Sequence, residues 1–189
     1  MNGAFLVGDR LYLRPLDEAD LGADYLAWLH DPDVTRYLET GRFPSTVEAL
    51  RAYLRRFEHA TDNLAFAIVD KDKDLHIGNV TLNSINWVHR TADTGLMIGR
   101  KEFWGRGYAF DAWSVLIEYA FSRLNLRKIV AGVIEDNAAS LHVLQRLGFR
   151  VEGTKRAAVF VDGSYRNSLL LGMFRDEFYK PIVEEEHRA

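Results

Sequence analysis

The chain contains no cysteine. Disulfides, thiolate-bound metals and a cysteine acyl-enzyme are therefore excluded. There is no apolar run of membrane-spanning length, so no membrane partner is expected. Nor is there a basic excess: 24 lysines and arginines stand against 27 aspartates and glutamates, for a formal net charge of −3. A nucleic-acid footprint would need the opposite balance on one face. The G-x-S-x-G elbow that exposes a serine nucleophile is missing. No His, Asp and Glu cluster has the spacing of metal ligands, so no metal is expected. The start, Met1 to Asp9, lacks both the basic stretch and the long apolar core of a signal peptide. These absences together predict a soluble cytoplasmic protein.

What is present is ordinary for a globular chain: 189 residues, 48% hydrophobic and 27% charged. That length suits one domain with a sizeable core. The expectation is a single domain over 1–189, with its core at about 10–175 and a charged, mobile tail at 176–189. The run Arg10–Pro15 reads as a first strand that stops at proline. Asp17 to Asp20 place acids at the start of a helix carrying Leu21, Tyr25, Leu26 and Leu29. Asp31 to Leu38 read as a turn and a short helix. Ser45-Thr46-Val47-Glu48 has the form of a capping box opening a helix with Leu50, Tyr53, Leu54 and Phe57. Strands are expected at Leu64–Val69, Ile77–Asn83 and Ala92–Gly99, with a polar hairpin turn at Asp70–Asp74. A further strand at Lys128–Val133 precedes a helix from about Asn137 to Leu147, ended by Gly148. Two closing strands, Phe149–Phe160 and Tyr165–Phe174, flank the hairpin signal Asp162-Gly163.

The rest of the chain is arranged around Phe103-Trp104-Gly105-Arg106-Gly107-Tyr108-Ala109-Phe110. The strand ending Gly95-Leu96-Met97-Ile98-Gly99 comes before it. After it, Trp113, Leu116, Ile117, Ala120 and Phe121 recur at helical spacing. Strand, glycine loop and helix together form an anion site, because the first helical turn has unpaired N–H groups and glycine lets a ligand approach the backbone closely. About thirty residues later comes Glu135-Asp136-Asn137-Ala138-Ala139-Ser140, running on to Leu147-Gly148-Phe149.

These two pieces together resemble the GNAT family of acyl-CoA-dependent N-acyltransferases, and in particular its RimJ/RimL-type branch. The resemblance covers the chain from Leu11 to about Phe174. Gly105-x-Gly107-x-Ala109 matches the family's Q/R-x-x-G-x-G/A loop. Trp104 departs from the usual first residue, as in the branch's W-G-K/R-G-Y-A variant. The implied fold is an α+β, three-layer arrangement with a mixed, mostly antiparallel central sheet flanked by helices. The implied co-substrate is acetyl-CoA. Trp104, Gly105, Arg106, Gly107, Tyr108, Ala109 and Phe110 would hold its pyrophosphate. Leu96, Met97 and Ile98 would pair their backbone with the pantetheine arm, and Asn137 would hydrogen-bond the cofactor as well as capping its own helix.

Acyl transfer to an amine requires a bound thioester, a neutral amine and a proton for the leaving thiolate. Many members of the resembled family place a tyrosine seven residues after the asparagine, but Leu144 stands there. The branch instead has a serine three residues on, and Ser140 matches it. Asn137 and Ser140 share a helix face at that spacing. Ser140 is thus the candidate proton donor and a cofactor contact. Asp93, in Ala92-Asp93-Thr94-Gly95, is the first candidate base, with His76 and His89 as further titratable options; a surface strand aspartate is its plain alternative. Without cysteine, direct attack of the amine in a ternary complex is the economical route.

By the resemblance, the N-terminal helices form part of the acceptor site, so Tyr37, Glu39 and Arg42 are candidate contacts. Asn83 and Trp87, in and beside the mixed aromatic and polar run Ser84–Arg90, are further ones. The acceptor expected is a small-molecule amine such as an amino sugar. A protein N-terminus, or a non-catalytic acyl-CoA-binding module, are the alternatives. Oligomeric state is left open, a homodimer being one option.

Overall fold

The structure is a computed structural model, and it describes residues 3–178. The expected tail at 176–189 falls outside it from residue 179 onward; Arg175–Glu177 form one 3-10 turn.

Eight strands form one sheet in the order β1-β2-β3-β4-β5-β6-β8-β7. They are β1 (Leu6–Val7), β2 (Leu11–Pro15), β3 (Leu64–Asp70), β4 (Leu75–Asn86), β5 (Thr91–Ile98), β6 (Lys128–Ile134), β7 (Arg150–Val161) and β8 (Ser164–Phe174). Every neighbouring pair is antiparallel except β5 with β6, which is parallel. The helices are α1 (Ala23–His30), α2 (Pro32–Thr35), α3 (Val47–Arg55), α4 (Tyr108–Ser122) and α5 (Ala138–Leu147). This is the mixed, mostly antiparallel three-layer α+β fold expected from the sequence.

β3 shows why the sheet is covered on both sides. Its residues Leu64 to Val69 are continuously apolar, as strands with two buried faces are. Phe66 and Ile68 point to the face packed by Trp113, Leu116 and Ile117 of α4. Ala65, Ala67 and Val69 point to the other face, against Tyr25, Trp28 and Leu29 of α1 and Leu50 of α3. The helical stripe on α4 is buried throughout, with Leu116, Ile117 and Ala120 at 0% exposure.

Two helix starts differ from expectation. The acids at Asp17–Asp20 do form a capping box, in which the Asp17 side chain accepts from the backbone and Asp20 reciprocates, but it closes a 3-10 turn at Glu18–Asp20. The α-helix begins only at Ala23, after Gly22. Asp20 has a different partner to satisfy: Arg14 on β2 grips both its carboxylate oxygens, at 2.7 and 2.6 Å. In α3 the N-cap is Thr46 rather than Ser45, and its hydroxyl accepts from the Ala49 N–H. Glu48 therefore cannot close a box with Ser45, and it pairs with Arg51 and Arg55 along the helix face. The short strand β1 carries no sequence signal of its own. It is held by β2 and by Asp111 of α4, which accepts from the N–H groups of Asp9 and Arg10 (3.1 and 2.8 Å).

Candidate active site

The site is built on the single parallel junction of the sheet. β5 and β6 pair only at Thr91–Lys128, Ala92–Ile129 and Asp93–Val130. β5 then continues to Ile98 and β6 to Ile134 without pairing to each other. The strands therefore part beyond Asp93, and β5 is left with an unpaired edge over Thr94 to Ile98. An unpaired edge is a row of donors and acceptors ready for an extended, amide-bearing partner.

Because β5 and β6 are parallel, their C-terminal ends lie at the same end of the gap. Each leads into a helix there, so the N-termini of α4 and α5 converge on it, which is the usual place for ligands in parallel sheets. Gly105 (φ 69°) and Gly107 (φ 86°) turn the chain from β5 into α4. Gly107 is the N-cap of α4 and offers no side-chain acceptor, so the first N–H groups of the helix remain unused by the protein. The indole N–H of Trp104 donates to the Ile98 carbonyl (2.8 Å) and pins the loop to the end of β5. One acceptor position of Ile98 is therefore taken, which leaves Leu96 and Met97 as the freer pantetheine-pairing candidates.

Tyr108, the first residue of α4, donates to Asp70 at the end of β3. Burial and this bond push its hydroxyl up to about 12. Ala109 and Phe110 are half-buried behind the loop. Arg106 is exposed, and among the described residues it makes no ion pair. The sequence reading missed a second cation, Arg10. A side chain on Gly107 would begin 2.9 Å from its Nη1, so the guanidinium lies directly over the loop. It too makes no ion pair among the described residues. Nothing in the spacing of residues 10 and 107 could have signalled this meeting. Asp111, by holding the backbone of Asp9 and Arg10, brings it about.

At the second helix, Asn137 is the N-cap of α5 and accepts from the Ser140 N–H at 3.2 Å. The Ser140 hydroxyl makes no hydrogen bond among the described residues. The vacant tyrosine position, Leu144, is 1% exposed and belongs to the core. Tyr37 reaches this junction from the segment after α2, its hydroxyl donating to the Asp136 carbonyl at 3.3 Å.

Asp93 occupies the point where the strands part. Ala92 and Thr94 face α4, so Asp93, Gly95 and Met97 face α1 and α3. Asn83 is its cross-strand partner on β4. Burial pushes the Asp93 carboxyl up to about 6, and the Asn83 amide opposes the shift by hydrogen-bonding it. A carboxyl with that value is half ionised at about pH 6 and mostly ionised at pH 7, the state a general base needs, while keeping a raised proton affinity. On the same face lies a cleft of about 330 Å³, with Gly95, Leu96 and Met97 on one wall and Tyr25, Leu38 and Tyr53 across from them.

Other candidates lie elsewhere. Glu39 projects from the rim into solvent and pairs with Arg42 at 3.3 Å. Trp87 sits in the β4–β5 hairpin, at the opposite end of β5 from the glycine loop, and its indole donates to the Thr61 carbonyl (3.0 Å). His89 is exposed in the same hairpin, where its backbone N–H donates to Asn86 Oδ1. His76 is a packed residue. Its Nε2 lies 2.9 Å from both the Gly78 carbonyl and Asn79 Oδ1. Its Nδ1 lies 3.3 Å from Asp20, and burial pushes its pKa down.

The description "Acetyltransferase (GNAT) domain" matches residues 10–150 of the chain. The chain belongs to the GNAT acetyltransferase family. It is an N-acetyltransferase, and acetyl-CoA is its co-substrate. The spermidine N(1)-acetyltransferase of Escherichia coli (strain K12) is 31% identical over 170 residues, 88% of this chain and 87% of the relative. The spermidine N-acetyltransferase of Vibrio cholerae, solved in complex with CoA and spermine, superposes with a TM-score of 0.80 at 25% identity, covering 90% and 99% of the two chains. Mycobacterium smegmatis RimJ, solved with CoA-disulfide, gives a TM-score of 0.81 at 21% identity, covering 93% of this chain and 90% of RimJ. At that identity RimJ shares the fold with this GNAT chain. The spermidine enzymes, rather than the RimJ/RimL branch, stand out among the sequence relatives.

The gap, the unpaired edge and the uncapped N-terminus of α4 fit CoA as this family would hold it. Among the described residues no group of three or more His, Asp or Glu side chains is placed to hold a metal. No described helix is long and apolar enough to cross a membrane.

Proposed function

We propose that this GNAT enzyme acetylates the primary amine of a small molecule that enters from the α1–α3 face and meets the thioester at the β5–β6 gap. The observation that carries this reading is Asp93. It is half-buried at the vertex of the gap, poised to titrate near neutrality and beside a cleft of small-molecule size. Acetyl-CoA would lie with its pyrophosphate on the N–H groups from about Arg106 to Phe110, flanked by the guanidinium groups of Arg10 and Arg106. Its pantetheine would run along Leu96 and Met97.

In the reaction, the amine lone pair forms the C–N bond at the thioester carbonyl carbon, and the C–S bond breaks. The proton lost by the amine passes to Asp93, directly or through a water. The Ser140 hydroxyl donates a hydrogen bond to the departing sulfur. Tyr37 would close the acceptor side of the α5 junction. The W-G-R-G-Y-A loop keeps its likeness to the RimJ/RimL branch, and a cytoplasmic location belongs to this same reading.

The test is CoA release from acetyl-CoA with polyamines, amino sugars, aminoglycosides and short peptides as acceptors. Acceptor-dependent release that falls about tenfold in kcat in Ser140→Ala, with a smaller loss of acetyl-CoA affinity, supports these roles. Tight acetyl-CoA binding with no release from any amine would defeat them.

A further inference from the structure

Among the described residues that line the acceptor cleft there is no carboxylate, ammonium, guanidinium or imidazole group. Its thirteen lining residues are apolar or neutral: Leu38, Leu50 and Met97 are typical of the first kind, Thr40, Tyr53 and Asn79 of the second. Burial pushes the Tyr25 and Tyr53 hydroxyls up, so they stay neutral at physiological pH. Of the acids on the segments that rim the cleft, Asp93 is left for the reacting amine and the others already carry cations, Asp24 from Arg100 and Glu48 from Arg51 and Arg55 among them. Glu39 is paired with Arg42 at 3.3 Å. Asp31 and Asp33 share Lys101 at 2.7 and 2.8 Å. Asp136 is held by Arg166 at 2.6 Å. A polycation in this cleft would lose its hydration without gaining counter-charges, which is unfavourable for every ammonium group beyond the reacting one.

The floor of the cleft adds a positive requirement. Asn79 is 7% exposed, and its Oδ1 is engaged with His76. Its Nδ2 finds no acceptor among the described residues. Buried amide donors are nearly always satisfied, so an unpaired one in a binding cleft marks a place for a ligand oxygen. Asn79 pairs with Met97, four residues along β5 from Asp93. At ~3.3 Å per residue that is about 13 Å, spanned by a water-bridged amine and a body of dipeptide length.

We propose that the acceptor is a primary amine whose uncharged, partly apolar body carries an acceptor oxygen at about dipeptide length, and that it is not a polyamine. This rests on the small-amine reading above and gives that amine its chemistry. The base agrees with it. A carboxylate with a pKa of about 6 takes a proton from an α-amine at ~8 against a gap of roughly a hundredfold. From an alkylamine at ~10.4 the gap is roughly ten-thousandfold. The same chemistry occurs in free small amines and at the N-terminus of a polypeptide.

The test is calorimetric binding to the CoA-loaded protein, so that it does not depend on turnover. The probes are leucyl-leucinamide, a fifteen-residue peptide beginning Leu-Leu, and spermidine. Leucyl-leucinamide is expected to bind at least tenfold tighter than spermidine. Asn79→Leu is expected to weaken it about tenfold, one net hydrogen bond, while the affinities for CoA and spermidine stay unchanged. Tighter binding of the peptide than of the amide assigns the source to polypeptide ends; the reverse assigns it to free small amines. Spermidine binding as tightly as leucyl-leucinamide in the wild-type protein overturns the proposal while leaving acetyl transfer intact. If the preference holds but no amine releases CoA, acetyl transfer to such amines fails and the cleft chemistry stands.

Discussion

Asp93→Asn separates catalysis from stability at one position. In the folded protein burial raises this carboxyl from 3.8 to about 6. Below pH 3.8 it is protonated in both folded and unfolded states and contributes nothing. As pH rises through that value, the unfolded chain ionises freely while the folded one resists, so folding is opposed increasingly until about pH 6. At 1.36 kcal/mol per pH unit the full difference is about 3 kcal/mol. Solvent screening of a group this exposed reduces it to about 1–2 kcal/mol. Asparagine keeps the shape and never ionises. The variant should therefore be more stable than wild type by about 1–2 kcal/mol at pH 7.5 and equally stable at pH 3.5. In the same variant kcat/KM should fall by about 10²–10⁴, the usual worth of a general base. The wild-type acidic limb near pH 6 should also disappear. Urea unfolding at the two pH values and a pH profile of kcat/KM are the measurements. An unchanged profile with an intact acidic limb would refute the base assignment. A loss of stability at pH 7.5 would refute the burial argument beneath it.

Two substitutions in the glycine loop form a matched pair. Gly105→Ala and Gly107→Ala both place alanine at positive φ, costing about 1–2 kcal/mol. Only the second also displaces the Arg10 guanidinium, so acetyl-CoA affinity should fall further in Gly107→Ala, and Arg10→Ala should reproduce the extra loss at unchanged stability. Isothermal titration with thermal unfolding reads both. At the other face, Arg14→Met should destabilise the fold by about 2–4 kcal/mol at pH 7 by stranding the buried Asp20 carboxylate. Burial works against that carboxylate's charge, but the Arg14 fork and the Asp17 N–H hold its pKa below the usual range. The contribution is therefore present above pH ~4 and lost as pH falls through the depressed value. Wild type and variant should converge in acid, as measured by chemical denaturation from pH 7 down to pH 3.

Sequence alone was enough to mark most of the elements and the family. Alternation marks strands, a 3.6-residue stripe marks α4, and glycines flanking an arginine mark a helix start built for an anion; all are local and survive without tertiary information. The Asn137–Ser140 pair was legible for the same reason, because three residues on a helix are neighbours wherever the helix packs. The helix starts at Asp17 and Ser45 were misread because polar residues at a helix start show which side chains can cap, not which kind of turn they close or at which residue the helix begins. Asp17 and Asp20 do close a box, but on a 3-10 turn that ends before Gly22 starts α1, and in α3 the cap falls on Thr46, one residue past Ser45.

Only the tertiary structure decided where the site lies. The loss of pairing between β5 and β6 after Asp93 is a relation between segments far apart in the chain, and it is what gives Asp93 its burial and raised pKa. The placing of Arg10 over Gly107 depends in the same way on Asp111 reaching across the fold to the turn before β2. Trp87 ends away from the glycine loop because β5 carries its two ends apart by more than 3 Å per residue, and its indole is taken by the Thr61 carbonyl. The neutrality of the acceptor cleft was invisible for a further reason. Its residues come from α1, α3, β4, β5 and the segment after α2, and only folding gathers them into one wall without a charged side chain.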